Sequence, residues 1–138
     1  MTLTKRTLDA LTYDILGAVI EVHKCLGPGL LESIYHKCLA KEFSLQKLSY
    51  LSEYAVPVTY KGLDIQTNLR CDFLVENAII IELKAVESLT PIFDAQLFTY
   101  MKLLEKLKGI LVNFNVENIF KQGQKTLVNE QFRMLPDV

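Results

Sequence analysis

Three charges interrupt what is otherwise the most apolar stretch of this chain: Asp72 within CDFLV, and Glu82 and Lys84 within IIIELKAV. Leaving such groups unpaired in apolar surroundings costs several kcal/mol, so each needs a partner or a purpose. Glu76-Asn77 between the two runs is a turn signal. It predicts neighbouring antiparallel strands joined by a short loop centred near Asn77. That register sets Asp72 opposite Glu82, where Cβ atoms lie about 4.5–5.5 Å apart. Lys84, two residues along the same strand, shares the face of Glu82. Two adjacent carboxylates repel unless a proton or a cation intervenes. A divalent metal would resolve the conflict. A buried ion-pair network without metal is the alternative, although one lysine compensates only one carboxylate well.

The elements that must position these groups are legible in the apolar periodicity. Leu8, Leu11, Ile15, Ala18, Val19, Val22 and Leu26 recur at steps of three and four, which predicts one helix ending at the Gly27-Pro28-Gly29 breaker. Leu31, Ile34, Tyr35, Cys38 and Leu39 repeat the spacing in a second helix to about Leu45. From Tyr54 the pattern changes to a three-stranded meander: AVPVTY, a turn at Lys61-Gly62, LDIQTNLRCDFLV, then AIIIELKAV. Pro57 suits an edge strand. Thr90-Pro91 opens a further helix with the stripe Phe93, Leu97, Tyr100 or Met101, Leu104 and Leu107, closed by Gly109. GILVNF then reads as a buried strand, parallel to one strand of the meander because a crossover helix precedes it. Beyond Val116 the spacing suggests a turn at 118–120 and a last short strand at 125–128. The expected fold class is α/β, with a mixed sheet of three antiparallel strands plus one parallel strand, flanked by helices.

At 138 residues the expectation is a single domain over 1–138, long enough to bury a real core. Half the residues are hydrophobic and 22% are charged, a globular composition. Apolar runs are broken by charge well before the roughly 18 residues of a membrane span, and the opening MTLTKRTLDA lacks a signal-peptide core, so a cytoplasmic protein without a membrane partner is expected. Cys25, Cys38 and Cys71 are odd in number and lack CxxC spacing. They argue for reduced, mostly buried thiols over a disulfide framework or a zinc site. A net charge of −1 lacks the basic excess of proteins that grip nucleic acid by phosphate neutralisation. A local groove built from Lys24, Lys37, Lys41, Lys61, Arg70 and Lys84 would be needed instead.

The order helix, meander, helix, strand, with D-x9-E-x-K across the second and third strands, resembles the PD-(D/E)xK nuclease-like superfamily. Within it, Gly29-Leu-Leu-Glu32-Ser-Ile-Tyr35 is similar to the motif of the GxxExxY family, and EVHKCLGPGLLESIY around it looks like that family's opening signature. A Gln96-x-x-x-Tyr100 helix motif adds to the likeness, which runs from about Tyr13 to Val128. The resemblance implies a restriction-endonuclease-like core and a Mg²⁺ or Mn²⁺ site. Asp72 and Glu82 would be its ligands, joined by a backbone carbonyl near Leu83, with Glu32 as an additional ligand from the helix before the sheet. Gln96, with Tyr100, would sit near the metal or its water. Lys84 would position the attacking water and stabilise charge on the scissile phosphate. Oxygen ligands that leave room for water suit hard divalent cations. Cys71 stands where the superfamily's name has proline, a position that donates no ligand. The implied activity is hydrolysis of phosphodiester bonds in nucleic acid, DNA ahead of RNA, and a homodimer would bring two sites to two strands. The alternative, which the near-neutral charge favours, is a non-catalytic nuclease-fold module that binds or regulates through a partner.

Several of these residues also have plain structural readings. Glu32 lies in a first helical turn, where the macrodipole favours any carboxylate. Tyr35 shares its face and reads as core. Gln96 and Tyr100, one turn apart at the edge of an apolar stripe, would serve equally to hydrogen-bond the sheet. Arg70 is either a phosphate contact or a surface charge, and His23 a satisfied core or surface histidine. The amides of Asn113 and Asn115 are expected to satisfy loop backbone.

Overall fold

The structure is a computed structural model and describes residues 2–138. The first apolar stripe becomes α1 (Lys5–Leu26), which buries Leu8, Leu11, Ile15, Ala18, Val19 and Val22. Thr4 and Thr7 cap its start reciprocally, and Gly27 ends it at φ 72°, a left-handed conformation that costs glycine little. After the Gly-Pro-Gly corner, α2 (Glu32–Leu45) inserts Tyr35, Leu39 and Phe43 into the core. Tyr35 secures that corner. Its hydroxyl donates to Gly27 O at 2.6 Å and accepts from Leu30 N–H at 3.1 Å, while its ring stacks on Phe114 at 4.4 Å.

The chain then builds β1 (Tyr50–Ala55), β2 (Val58–Tyr60), β3 (Leu63–Ile65), β4 (Arg70–Val75) and β5 (Ile79–Lys84). It continues through α3 (Pro91–Leu103), β6 (Lys108–Asn113), α4 (Ile119–Gln122), β7 (Gln124–Val128) and α5 (Glu130–Arg133). Five strands form one mixed sheet in the order β1-β4-β5-β6-β7, in which only β5 and β6 run parallel. The expected α/β class with a restriction-endonuclease-like mixed sheet is therefore what the chain adopts. The β4–β5 hairpin turns through Glu76 and Asn77, both at φ 53°, and pairs Val75 with Ile79 and Phe73 with Ile81.

Several boundaries differ from the sequence reading: β1 begins at Tyr50, ahead of Tyr54, and short helices α4 and α5 stand where a turn and a loose end were expected. AVPVTY is divided at Pro57 between β1 and β2, because proline has no N–H to give a ladder. LDIQTNLRCDFLV is likewise two strands, so the meander of the main sheet is β1-β4-β5 while β2 and β3 form a separate hairpin. Gly109 does not end α3, which stops at Leu103; it lies within β6. The reason is close packing: a Cβ there would come within 2.8 Å of Leu97 Cδ1 and 3.0 Å of Met101 Sδ on α3. Thr90 does sit at the N-cap, but its side chain makes no capping bond.

The sheet separates two cores. On one face α1 and α2 pack over Phe73, Val75, Ile79, Ile81 and Leu83. On the other, α3 brings Leu97, Tyr100 and Met101 against Cys71, Leu74, Ile80 and Leu111. Asn113 clamps the chain leaving β5. Its Oδ1 accepts from Val86 N–H at 3.1 Å and its Nδ2 donates to Val86 O at 3.0 Å, the backbone role its sequence position suggested. All three cysteines are free; Cys71 is buried and Cys38 half-buried, whereas Cys25 is exposed.

Candidate active site

Regular pairing of β4 lapses on both sides at Asp72. The β1–β4 ladder joins Ser52 to Phe73 and Tyr54 to Cys71 but passes over Glu53, whose φ is 50°. The β4–β5 ladder ends at Phe73 and Ile81. Side chains take over the next rung: Asp72 N–H donates to Glu82 Oε1 at 3.0 Å, and Leu83 N–H donates to Asp72 Oδ2 at 2.7 Å. The sheet thus opens where the two carboxylates face each other, with the opposition anticipated from the Asn77 turn.

Their electrostatics follow from that position. Burial, then the charge of Asp72, pushes the Glu82 carboxyl up to about 8. Burial also raises Asp72, against the lowering effect of the Leu83 N–H. Two facing carboxylates that each disfavour the other's charge make a place where a proton or a cation would relieve the repulsion. Glu32, on the exposed first turn of α2, is raised by partial burial and then by the charge of Asp72. Lys84 is half-buried, with its ammonium 4.6 Å from the centre of the Phe93 ring on α3. Its charge lowers the carboxyls of Glu32, Asp72 and Glu82.

Of the residues singled out by sequence, Asp72, Glu82, Glu32 and Lys84 come together, with Leu83 contributing its main chain beside Asp72. Gln96 and Tyr100 approach from the opposite side, on α3. Gln96 Nε2 donates to Tyr100 Oη at 3.2 Å, and both line a shallow groove of about 320 Å³. Burial and then the charges of Glu82 and Asp72 raise the Tyr100 phenol. Tyr35 is wholly buried and structural, and His23 is satisfied by Val116 O at 2.7 Å. Arg70 donates to Glu53 O at 3.3 Å. A further cleft, of about 630 Å³, lies at the C-terminal end of α3 and contains none of these residues.

Two residues that the sequence reading passed over belong to the same place. An open cleft of about 520 Å³ runs between α2 and β1, lined by Glu32, Ser33, His36, Lys37, Ser52, Glu53 and Asp72. His36 stacks on Phe73 at 4.2 Å, lies 2.7 Å from Ser52 Oγ through Nε2, and has Nδ1 3.9 Å from Asp72 Oδ1. Its signal was available: it follows Glu32 by four residues, hence on one helical face. Nothing local marked Ser52.

The donors suit a hard divalent cation, being carboxylate and main-chain oxygens. Among the described residues no group of three His, Cys, Asp or Glu side chains is placed to hold a metal ion, which leaves the facing Asp72 and Glu82 as an open, two-carboxylate arrangement. An open arrangement of this kind fits Mg²⁺ or Mn²⁺, which are commonly held by one or two carboxylates with water and substrate phosphate completing the shell. No helix among the described residues is long and apolar enough to cross a membrane.

No curated protein and no solved structure is significantly similar to the chain. At the level of families, residues 9–127 match the PD-(D/E)XK nuclease superfamily. That span takes in α2, β4, β5 and α3, so every candidate residue falls inside it, and the chain belongs to the PD-(D/E)XK nuclease superfamily.

Proposed function

We propose that this protein is a divalent-metal-dependent nuclease that hydrolyses phosphodiester bonds of nucleic acid, DNA in preference to RNA, and that it falls within the GxxExxY group of its superfamily. The observation that carries the reading is the opening of the sheet at Asp72, where a half-buried and a buried carboxylate face each other and each accepts a backbone N–H in place of the regular rung. Asp72 and Glu82 would hold Mg²⁺ or Mn²⁺, with the Leu83 carbonyl beside them and Glu32 reaching in from α2. A cation held there supplies charge stabilisation at the phosphate and activates water for attack. Lys84 contributes a point charge that orients the attacking water and stabilises the developing phosphorane anion. The Gln96–Tyr100 pair presents an amide and a phenol from α3 to order solvent on the opposite side. The open cleft beside Asp72 gives a nucleic-acid strand access, and a homodimer would present two such sites to a duplex.

The test is cleavage of single- and double-stranded DNA and RNA with Mn²⁺ or Mg²⁺. Wild type should cut and EDTA should stop it, while Asp72→Ala and Lys84→Ala should lose at least about a hundredfold in rate with unchanged circular dichroism. Undiminished cleavage by both variants would refute the assignment. The near-neutral charge of −1 supports a second reading, a non-catalytic module acting through a protein partner. Failure to cut any of these substrates, together with a stoichiometric partner recovered from cells, would favour it.

A further inference from the structure

His36 is fixed by two elements it does not belong to. Its ring lies 4.2 Å from that of Phe73 on β4 at an interplanar angle of 22°, and its Nε2 is 2.7 Å from Ser52 Oγ on β1. The remaining nitrogen, Nδ1, faces Asp72 Oδ1 at 3.9 Å. That is the carboxylate oxygen other than the one held by Leu83 N–H. A ring nitrogen directed at a carboxylate carries a proton, since a lone pair there would meet negative charge. Nε2 is then the acceptor, and the Ser52 hydroxyl donates to it.

We infer that the Ser52–His36 pair is a positioning device for Asp72. Ser52 anchors Nε2 in the tautomer that the facing carboxylate favours, the Phe73 stack sets the plane of the ring, and Nδ1–H draws Oδ1 toward the α2 side while Leu83 N–H holds Oδ2. The carboxylate is thereby oriented between Glu82 and Glu32. At 3.9 Å the polar N–H acts on the carboxylate through space rather than as a direct hydrogen bond. The stack alone would be supplied by any aromatic residue, so the two nitrogens are the part of His36 that packing does not explain. Partners of this kind around a metal ligand are worth on the order of 10- to 100-fold in metal affinity. The inference rests on the metal-binding reading of Asp72.

The experiment is calorimetric titration of Mn²⁺ alone into the full chain, with thermal denaturation of every variant alongside. His36→Phe keeps a ring on Phe73 and removes both nitrogens; it should weaken Mn²⁺ binding on the order of tenfold while keeping its melting temperature. His36→Asn places a donor near the former Nδ1 and should recover most of the affinity despite losing the stack. Ser52→Ala should fall between wild type and His36→Phe. A purely structural His36 gives the reverse order, with Phe equivalent to wild type and Asn impaired, and that result overturns the inference while leaving the metal site intact. A wild type that binds no Mn²⁺ overturns the metal reading of Asp72 and this inference with it.

Discussion

Glu82 keeps a proton that an exposed glutamate would have lost, because burial and the facing Asp72 both penalise its charge. Its folded-state pKa, about 8, lies above the unperturbed 4.5, so between these values the folded state binds more protons than the unfolded one. The stabilising contribution is intact below pH 4.5 and is lost as the pH climbs through about 8. Thermal denaturation of the metal-free protein should therefore show stability declining over that window, and Glu82→Gln should flatten the decline. On the proposed metal-binding reading, Mn²⁺ added at the upper end should restore stability, since a cation would offset the charge that the proton no longer neutralises. A metal-free wild type whose stability changes from pH 5 to 8 no differently from that of Glu82→Gln would contradict the paired geometry. Tyr35 belongs to a different category. Removing its hydroxyl in Tyr35→Phe leaves Gly27 C=O and Leu30 N–H without their partner. The expected loss is about 1–2 kcal/mol in denaturant unfolding, with little change in Mn²⁺ affinity.

At the scale of elements, the site exists because two ladders lapse at one residue. The Glu76-Asn77 turn fixes the β4–β5 register, and a register shifted by one would send Asp72 and Glu82 to opposite faces. Once the regular rungs end at Phe73 and Ile81, the carboxylates themselves satisfy the backbone N–H groups of Asp72 and Leu83. Helix α3 is held close to β6 by the absence of a side chain at Gly109. Gly109→Ala should press on Leu97 and Met101 and cost about 1–3 kcal/mol, measured by urea unfolding. Gly123→Ala should cost more, because its Cβ would meet the backbone carbonyl of Asn113, which cannot rotate away as a side chain can.

For the molecule as a whole, a net charge of −1 limits how much binding energy phosphate neutralisation can supply. On the proposed function, grip on a nucleic-acid strand would come from a few local groups, among them Lys37 on the wall of the cleft and Lys84 beside the carboxylates. Without a cation those carboxylates repel phosphate. Fluorescence anisotropy with labelled DNA should show weak binding in EDTA and tighter binding when Ca²⁺ is supplied. The slope of log K against log salt should be shallower than about −4, corresponding to fewer than about five neutralised phosphates. Tight, steeply salt-dependent binding in EDTA would point instead to a basic surface away from Asp72.

Periodicity and turn chemistry were enough to place α1, α2, the β4–β5 hairpin, the parallel β6 and the Asp72–Glu82 opposition. Each depends on spacings of two, three or four residues and on a few special residues such as Gly27 and Asn77. Proline at 57 marked an interruption but not its extent, since whether a strand resumes in the same sheet depends on what lies beside it. Gly109 looked like a helix terminator because glycine signals both a stop and a close approach, and only the packed side chains of α3 distinguish the two. His36 and Ser52 lie 16 residues apart on a helix and an edge strand, and their meeting with Asp72 comes from the packing of α2 over β1 and β4. No short-range pattern encodes such a meeting: contacts between distant segments are set by how apolar faces are buried, and that is a property of the folded whole.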